Sequence, residues 1–187
     1  MNNELIFIRH AETKVDKNIS IPEWDLTEDG YVHANDIKDI PEFQDVDILI
    51  SSTENKSYLT IKPLADKLGK EIIKIEELGE VVRGDGETLS LEEYNKMKKK
   101  LFEDFDFSKN GWESVNHALN RYSKAVKKID EEYNHKKILI CTHGTVMTLY
   151  FAKLQDKMND LMNRRKTMDE EDWGIIKNGK IIKDIVK

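Results

Sequence analysis

Residues 5–10 read LIFIRH, and this stretch sets both the first strand and the first candidate for chemistry. Four apolar residues follow one another without polar alternation, which is typical of a central strand buried on both faces. The apolar run then stops at Arg9 and His10. In open α/β sheets ligands bind beyond the carboxyl ends of the strands, so this pair is predicted to lie where a ligand would bind.

Outward from this stretch, short apolar runs alternate with segments of helical character. Strands are predicted at Leu5–Ile8, Val46–Ile50, Glu71–Ile75 and Lys137–Cys141. Helices are predicted after Thr27, from Ser51–Thr53 to near Gly69, from Ser90 to about Glu103, from Ser114, and over Thr145–Leu154, before a hairpin over Trp173–Lys177 and Lys180–Val186. This order predicts an α/β fold, a three-layer α/β/α sandwich with a mostly parallel central sheet. The length predicts a single domain over residues 1–187.

Composition and charge narrow the classes of function. The net charge of −6 does not favour nucleic-acid binding. The apolar runs are strand-sized, too short to span a bilayer, and the N-terminus lacks the pattern of a secretory signal. The only cysteine, Cys141, cannot form an internal disulfide, which favours a reducing cytoplasm. We therefore expect a cytoplasmic protein with no nucleic-acid or membrane partner; the oligomeric state stays open.

Two histidines follow two of the buried strands in the same way. His10 ends the first run, and His143 follows the fourth within Thr142-His143-Gly144. Imidazole is largely neutral and nucleophilic near neutral pH, and the fork of Arg9 fits two phosphoryl oxygens. A second imidazolium could stabilise the charge that develops on a transferring phosphoryl group. Arg9 and His10 alone would also fit an ordinary strand end; the repeated pattern favours phosphoryl chemistry.

Two other chemistries compete for these residues. Imidazole is a common zinc ligand, but the sequence has no His-Glu-x-x-His motif and no second cysteine, so we expect no metal site. A cysteine phosphatase would need an arginine six residues after Cys141, and Met147 stands there. Cys141 is therefore predicted to be a buried residue at a strand end.

Several blocks, in order along the chain, resemble the histidine phosphatase superfamily in its phosphoglycerate mutase-like branch. The Arg-His-Gly-Glu signature of that family is similar to RHAE at residues 9–12, with alanine in place of glycine. The other similar blocks are LTEDG at 26–30, SS at 51–52, LGE at 78–80, ES at 113–114 followed by Arg121, and THG at 142–144. The resemblance spans Leu5 to about Leu154 and implies a phosphoglycerate mutase-like fold.

The resemblance also implies roles for individual residues. His10 attacks phosphorus, while Arg9 and His143 hold the phosphoryl oxygens. Glu80 protonates the leaving oxygen and then helps water to attack the phosphohistidine, with Glu77 as the competing candidate. Because the acid must first carry a proton, the pKa of Glu80 is expected to be raised. The implied substrate is small and phosphorylated, and no cofactor is required.

Two positions depart from the pattern of the family. Lys56 stands where relatives usually supply a second phosphate-binding arginine; it keeps the charge but loses the planar fork. We expect weaker phosphate orientation, by ~1–2 kcal/mol on the scale of charged hydrogen bonds. Asp16 stands where many relatives carry a phosphate-contacting asparagine and would repel a dianion. Asn18 is the candidate to replace it at the phosphate.

Three functions follow from this interpretation. Hydrolysis of a phosphomonoester ranks first. A phosphoglycerate mutase-type phosphotransferase ranks second. The glycolytic mutases of the family are longer chains with more inserted, substrate-binding sequence, whereas the stretch between Glu80 and Gly111 is of modest length here. A weakly active or non-catalytic phosphate-binding regulatory domain is the third, motivated by Lys56 and Asp16. Substrate choice is expected to lie with Val81–Trp112, as the wall or lid of the site.

Overall fold

A computed structural model of the protein describes residues 2–16, 18–84, 90–169 and 172–186. The strands are β1 (Glu4–Arg9), β2 (Ile48–Ser51), β3 (Ile72–Lys74), β4 (Lys137–Thr142), β5 (Trp173–Lys177) and β6 (Lys180–Lys183). The helices are α1 (Glu28–Ile37), α2 (Asn55–Leu68), α3 (Leu91–Glu103), α4 (Val115–Glu132), α5 (Gly144–Leu154) and α6 (Leu161–Thr167).

The strands form one sheet in the order β3-β2-β4-β1-β5-β6. The pairings β3–β2, β2–β4 and β4–β1 are parallel, whereas β1–β5 and β5–β6 are antiparallel. The predicted sheet, mostly parallel, is therefore confirmed, and the predicted C-terminal hairpin forms β5 and β6 at one edge of it. Its carboxyl ends meet at β1, β2 and β4, three adjacent strands.

Alternate residues of β1 pack against opposite layers, as the unbroken apolar run predicts. Phe7 belongs to a core formed with α4 and α5, and Ile8 belongs to a second core formed with α1 and α2. Both side chains are buried. The central sheet thus lies between two helical layers, and the predicted α/β/α sandwich is confirmed.

Local signals placed most helix starts correctly. Thr27 accepts a hydrogen bond from Gly30 N at 2.9 Å, Ser90 forms the predicted capping box, and Ser114 caps α4. The predicted cap at Ser51–Thr53 is wrong. The α2 helix begins at Asn55, and its N-cap Glu54 makes no side-chain capping bond.

The C-terminal part differs from the prediction in two ways. The short helix α6 was not predicted, and β6 ends at Lys183 instead of Val186. The strand ends there because Asp184 accepts a hydrogen bond from Arg164 at 2.7 Å, while Ile185 turns into the core. Among the described residues, no helix combines the length and apolar character needed to cross a membrane.

Candidate active site

Pairing of β1 with β4 brings the two histidines together. Arg9 is in register with Thr142, and the next residue, His10, donates its backbone N–H to Thr142 O at 3.0 Å. His143 follows Thr142 as the N-cap of α5. The ring centroids of His10 and His143 lie 5.0 Å apart. The predicted convergence at the carboxyl ends of the strands therefore places two imidazoles side by side.

The ring of His10 is held by the backbone that follows it. Its Nδ1 lies 2.8 Å from Ala11 O and 3.2 Å from Thr13 Oγ1. A carbonyl can only accept, so Nδ1 carries the proton and the lone pair is on Nε2. Burial, followed by the proximity of His143, lowers the pKa of His10 well below its usual range. The ring is therefore a neutral nucleophile with Nε2 available for attack.

His143 is fully buried, and its Nε2 faces three oxygen atoms. Ser52 Oγ lies at 2.8 Å, Glu54 Oε1 at 3.1 Å and Ser57 Oγ at 3.3 Å. The pKa of His143 is lowered to about 3, chiefly by burial; the charge of Glu80 opposes the shift, and the charge of Lys56 adds to it. The sequence predicted an imidazolium here, but in the ligand-free protein the ring is neutral, because burial disfavours its charged form.

The other ring nitrogen of His143 has a different environment. Nδ1 is buried and has no hydrogen-bond partner among the described residues. The carboxylate of Glu54 beside Nε2 can only accept, so the proton of a neutral ring lies on Nε2 and Nδ1 carries the lone pair. A bound dianion would favour protonation of the ring, and the N–H at Nδ1 could then donate to a phosphoryl oxygen.

Glu80 lies at the N-terminus of α5, directly beside His143. Its carboxylate accepts from Thr145 N at 3.1 Å and Val146 N at 3.2 Å, and Arg83 Nη2 lies 3.4 Å away. Free N–H groups at a helix start favour a negative charge. The chain therefore holds one carboxylate at the same helix terminus that carries its second histidine.

The expected rise in the pKa of Glu80 is not found. Burial alone would raise it, but the charge of Arg83, the neighbouring imidazole of His143 and a backbone N–H bond from Val81 outweigh burial and hold the pKa well below its usual range. Glu80 is therefore ionised in the ligand-free site. The competing candidate, Glu77, is exposed, and its carbonyl oxygen accepts from Arg121 at 2.8 Å.

Arg121 on α4 fixes the loop that carries Glu80. Its guanidinium donates to three carbonyl oxygens, those of Glu77, Gly79 and Glu80, at 2.8–2.9 Å. The same group forms a two-bond pair with Glu113 at 2.7 and 2.8 Å. A planar fork suits several acceptors at once, so one side chain sets the path of the backbone on both sides of Gly79.

Lys56 is buried beside the two histidines, where it is already paired. Its Nζ lies 2.5 Å from Glu54 Oε2, and both side chains are almost fully buried. The other oxygen of Glu54 accepts from Glu80 N at 2.8 Å. The Lys56 ammonium also lies 5.8 Å from the ring centroid of Trp24. Lys56 therefore supplies positive charge at the site, but Glu54 offsets part of it.

Comparison with family profiles covers nearly the whole chain, including all of the sequence blocks described above. A profile of the histidine phosphatase superfamily (branch 1) matches residues 5–177. The chain belongs to this superfamily.

Curated relatives of this histidine phosphatase superfamily member are distant. Phosphoglycerate mutase-like protein 4 of Arabidopsis thaliana is 23% identical over 190 residues, covering 92% of this chain and 83% of the relative. Phosphoserine phosphatase 1 of Hydrogenobacter thermophilus is 24% identical over 164 residues, covering 81% and 75%. A solved mycobacterial glucosyl-3-phosphoglycerate phosphatase shares the fold, with a TM-score of 0.78, 16% identity, and coverage of 98% and 99%.

The loop after the signature does not bring Asn18 to the histidines of this superfamily member. Asn18 is exposed, and both its backbone N–H and its side-chain amide donate to Asp16 Oδ1 at 2.9 Å. The backbone oxygen of Asp16 in turn accepts from Trp24 Nε1 at 2.8 Å. The two residues bond to each other, so a phosphate-binding role for Asn18 stays a prediction without a supporting contact.

The structure also bears on the two competing chemistries, cysteine catalysis and metal binding. Cys141 is buried, and burial raises the pKa of its thiol, as expected for an inert residue at a strand end. Within the described ranges, no three His, Cys, Asp or Glu side chains are grouped as a metal site would require.

Several polar residues of the site were not anticipated. The sequence could have indicated Glu54, since it lies between Ser52 and Lys56 in the block that carries the serine pair. Arg83 had a weaker signal, three residues after Glu80. Arg165, on the unpredicted helix α6, had none. Of the predicted wall over Val81–Trp112, residues 85–89 lie outside the described residues; the described part contributes Arg83 and α3.

Proposed function

We propose that this chain is a phosphomonoester hydrolase that acts through a phosphohistidine on His10, without a metal ion. The observation that carries the proposal is the pair of rings at the sheet edge: His10 keeps Nε2 free for attack, 5.0 Å from His143 by ring centroids. Glu80 lies at the helix terminus beside them. Nucleophile, phosphoryl clamp and proton carrier are thus adjacent.

In the first step Nε2 of His10 attacks phosphorus, and the bond from phosphorus to the ester oxygen breaks. Arg9, Lys56 and His143 stabilise the charge on the three remaining oxygens, and the departing oxygen takes a proton from Glu80. Because Glu80 is ionised in the ligand-free site, this proton arrives with the substrate. The negative charge of a bound phosphoryl group raises the affinity of the Glu80 carboxylate for a proton.

In the second step water attacks the phosphohistidine. The water gives a proton to the carboxylate of Glu80, the bond between nitrogen and phosphorus breaks, and inorganic phosphate leaves. His10 is again neutral, and Glu80 loses its proton when phosphate leaves, which restores the ligand-free site. Hydrolysis is preferred to transfer between hydroxyls because two of the three relatives described above are named as phosphatases. We place the reaction in the cytoplasm, in line with the single unpaired Cys141.

The test is phosphate release from p-nitrophenyl phosphate in the presence of a chelator. The His10→Ala variant is expected to lose turnover by at least 10³-fold, as for removal of a nucleophile that acts with its partners as a unit. A radiolabelled substrate quenched in alkali should leave label on wild-type protein and none on the variant. His135→Asn is the matched control, because His135 is exposed and precedes β4 at the opposite edge of the sheet.

Unchanged turnover in His10→Ala would overturn the mechanism. Loss of turnover in chelator by the wild-type protein would overturn its independence from metal. Formation of a phosphoglycerate isomer from phosphoglycerate, without release of phosphate, would move the assignment to a mutase.

A further inference from the structure

Glu54, the N-cap of α2, contacts three parts of the candidate site at once. Its Oε1 accepts from Glu80 N at 2.8 Å and also lies 3.1 Å from His143 Nε2. Its Oε2 lies 2.5 Å from Lys56 Nζ. The side chain is only 10% exposed, so water screens these contacts weakly. The start of α2, the start of α5 and the loop of Glu80 therefore meet at one buried carboxylate.

The first oxygen of Glu54 determines where the ring of His143 can take up a second proton. Because Oε1 faces Nε2 and can only accept, Nε2 already carries the proton of the neutral ring. Nδ1, which has no partner among the described residues, is then the nitrogen left for protonation. The other titratable groups that face this ring are His10, Glu80, Lys56, Arg83 and Arg121. A carboxylate in contact with the ring also stabilises its charged form.

The second oxygen of Glu54 restrains the ammonium of Lys56. Oε2 is buried, and its contact with Nζ lacks the angles of a hydrogen bond, so charge holds the pair together. Nζ also donates to Ile21 O at 3.4 Å. The charge of Lys56 contributes to the lowered pKa of both His10 and His143, so the ammonium lies near both rings. A phosphoryl group at the rings would therefore compete with Glu54 for this cation.

We propose that Glu54 is a positioning residue with opposite effects on phosphate binding and on turnover. Its Oε2 weakens binding, because it holds the charge of Lys56 that a phosphate would otherwise attract. Its Oε1 promotes turnover, because it reserves Nδ1 of His143 for the phosphoryl group and holds the backbone of Glu80. The effect on turnover rests on the proposed function, whereas the effect on binding does not. Such a site orients a phosphoryl group well and still releases inorganic phosphate readily.

Two substitutions separate the two oxygens. Glu54→Gln keeps one oxygen for Glu80 N and His143 and turns an amide N–H toward Lys56, so only the counter-charge is lost. Glu54→Leu removes both oxygens. Calorimetry measures the affinity for inorganic phosphate, and nitrogen NMR of isotope-labelled histidines locates the ring proton of His143, assigned by difference from His143→Asn. Glu71→Gln, an exposed position before β3, loses the same charge and is the matched control.

The two variants are expected to behave differently. Glu54→Gln should bind phosphate about 10-fold more tightly than wild-type protein, because Lys56 is released. Its KM for p-nitrophenyl phosphate should fall without a rise in kcat, because substrate and transition state share the stronger binding. Glu54→Leu should lose about 100-fold in kcat, the scale for misplaced groups. In that variant the proton of His143 should leave Nε2, since the hydroxyl of Ser52, 2.8 Å away, can then donate to it.

Different results would overturn different parts of the proposal. Phosphate affinity that is unchanged or weaker in Glu54→Gln, or raised equally in Glu71→Gln, would overturn the restraint of Lys56. A His143 proton that leaves Nε2 in Glu54→Gln, or stays there in Glu54→Leu, would overturn the role of Oε1. A joint fall in kcat and phosphate affinity in both variants would reduce Glu54 to a structural role. If the predicted affinities and proton positions are found but wild-type protein hydrolyses no phosphomonoester, the hydrolase function fails while the contacts of Glu54 stand.

Discussion

Lys56 shows how one substitution alters a site through its neighbour. A buried ammonium needs a counter-charge, and Glu54 supplies it at 2.5 Å. Glu54 also accepts from the backbone N–H of Glu80 and lies 3.1 Å from His143 Nε2. Lysine and glutamate therefore act as one unit, which lowers the positive charge available to a phosphate. Weaker phosphate orientation stays a prediction, and this ion pair adds a structural reason for it beyond the lost arginine fork.

The lowered pKa of His10 predicts an unusual pH dependence. A group with a lowered pKa stays neutral below pH 6.5, so the nucleophile remains competent in mild acid. Glu80 is held ionised, so its protonated form becomes scarcer as the pH rises. We expect kcat/KM for p-nitrophenyl phosphate to be highest below pH 6.5 and to fall toward alkaline pH.

A pH–rate profile between pH 4.5 and 9 checks this expectation. In Glu80→Gln, which cannot titrate at that position, any remaining fall should reflect only ionisation of the substrate. A tenfold rise per pH unit up to about pH 6.5, followed by a plateau, would show that His10 titrates with the ordinary pKa of imidazole.

At the scale of elements, α4 supports the site through one side chain. Arg121→Lys keeps the charge but loses the fork that binds Glu113 and three carbonyl oxygens of the loop before Val81. We expect the free energy of unfolding to fall by about 1–3 kcal/mol, on the scale of hydrogen bonds to charged groups. We expect kcat/KM to fall about 10- to 100-fold, because Glu80 is no longer held at α5.

Denaturant unfolding and aryl phosphate kinetics, run on the same preparations, separate the two effects. Lys128→Gln, an exposed position on the same helix, should change neither. A stability loss in Arg121→Lys with wild-type kcat/KM would restrict Arg121 to a structural role.

The elements that could be predicted are those set by local sequence. The run LIFIRH determines a strand buried on both faces, and Ser90 with Glu93 determines a helix start through bonds three residues apart. The helix α6 could not be predicted, because its seven residues bury only Leu161 and Arg164 and show no apolar period. Since Arg165 lies on that helix, the sequence missed the guanidinium that packs against Gly144 at the start of α5.

The charge states of the site required the three-dimensional arrangement. The sequence predicted a raised pKa for Glu80 from burial, but Arg83, His143 and the backbone N–H of Val81 reverse the direction. Likewise it predicted a charged His143, which burial keeps neutral. The identity of the two histidines followed from their position after buried strands. Their protonation follows from what surrounds them, and those neighbours come from distant parts of the chain.

At the scale of the molecule, β5 closes the structure by joining β1 to α5 and the C-terminal segment. A Cβ on Gly174 would lie 2.6 Å from Phe151 Cζ and 2.7 Å from Ile185 Cγ2. Gly174→Ala is therefore expected to lower the free energy of unfolding by about 1–3 kcal/mol, the usual range for overpacking. Ile182→Ala, at a side chain that is 63% exposed, should stay within about 0.5 kcal/mol.

Denaturant titration of both variants measures this difference. Equal stability of Gly174→Ala and wild-type protein would mean that β5 shifts freely away from α5. The packing of β5 against α5 and the C-terminal segment would then be less tight than the distances at Gly174 indicate.

The position of β1 has a consequence for how the protein is made. This strand is synthesised first, yet its two neighbours in the sheet are β4 and β5, which begin at Lys137 and Trp173. On the ribosome, Leu5–Ile8 emerges long before either partner exists. Its backbone groups and four apolar side chains must therefore stay unpaired until β4 has been synthesised. The strand that carries the candidate nucleophile is thus open to aggregation during that interval.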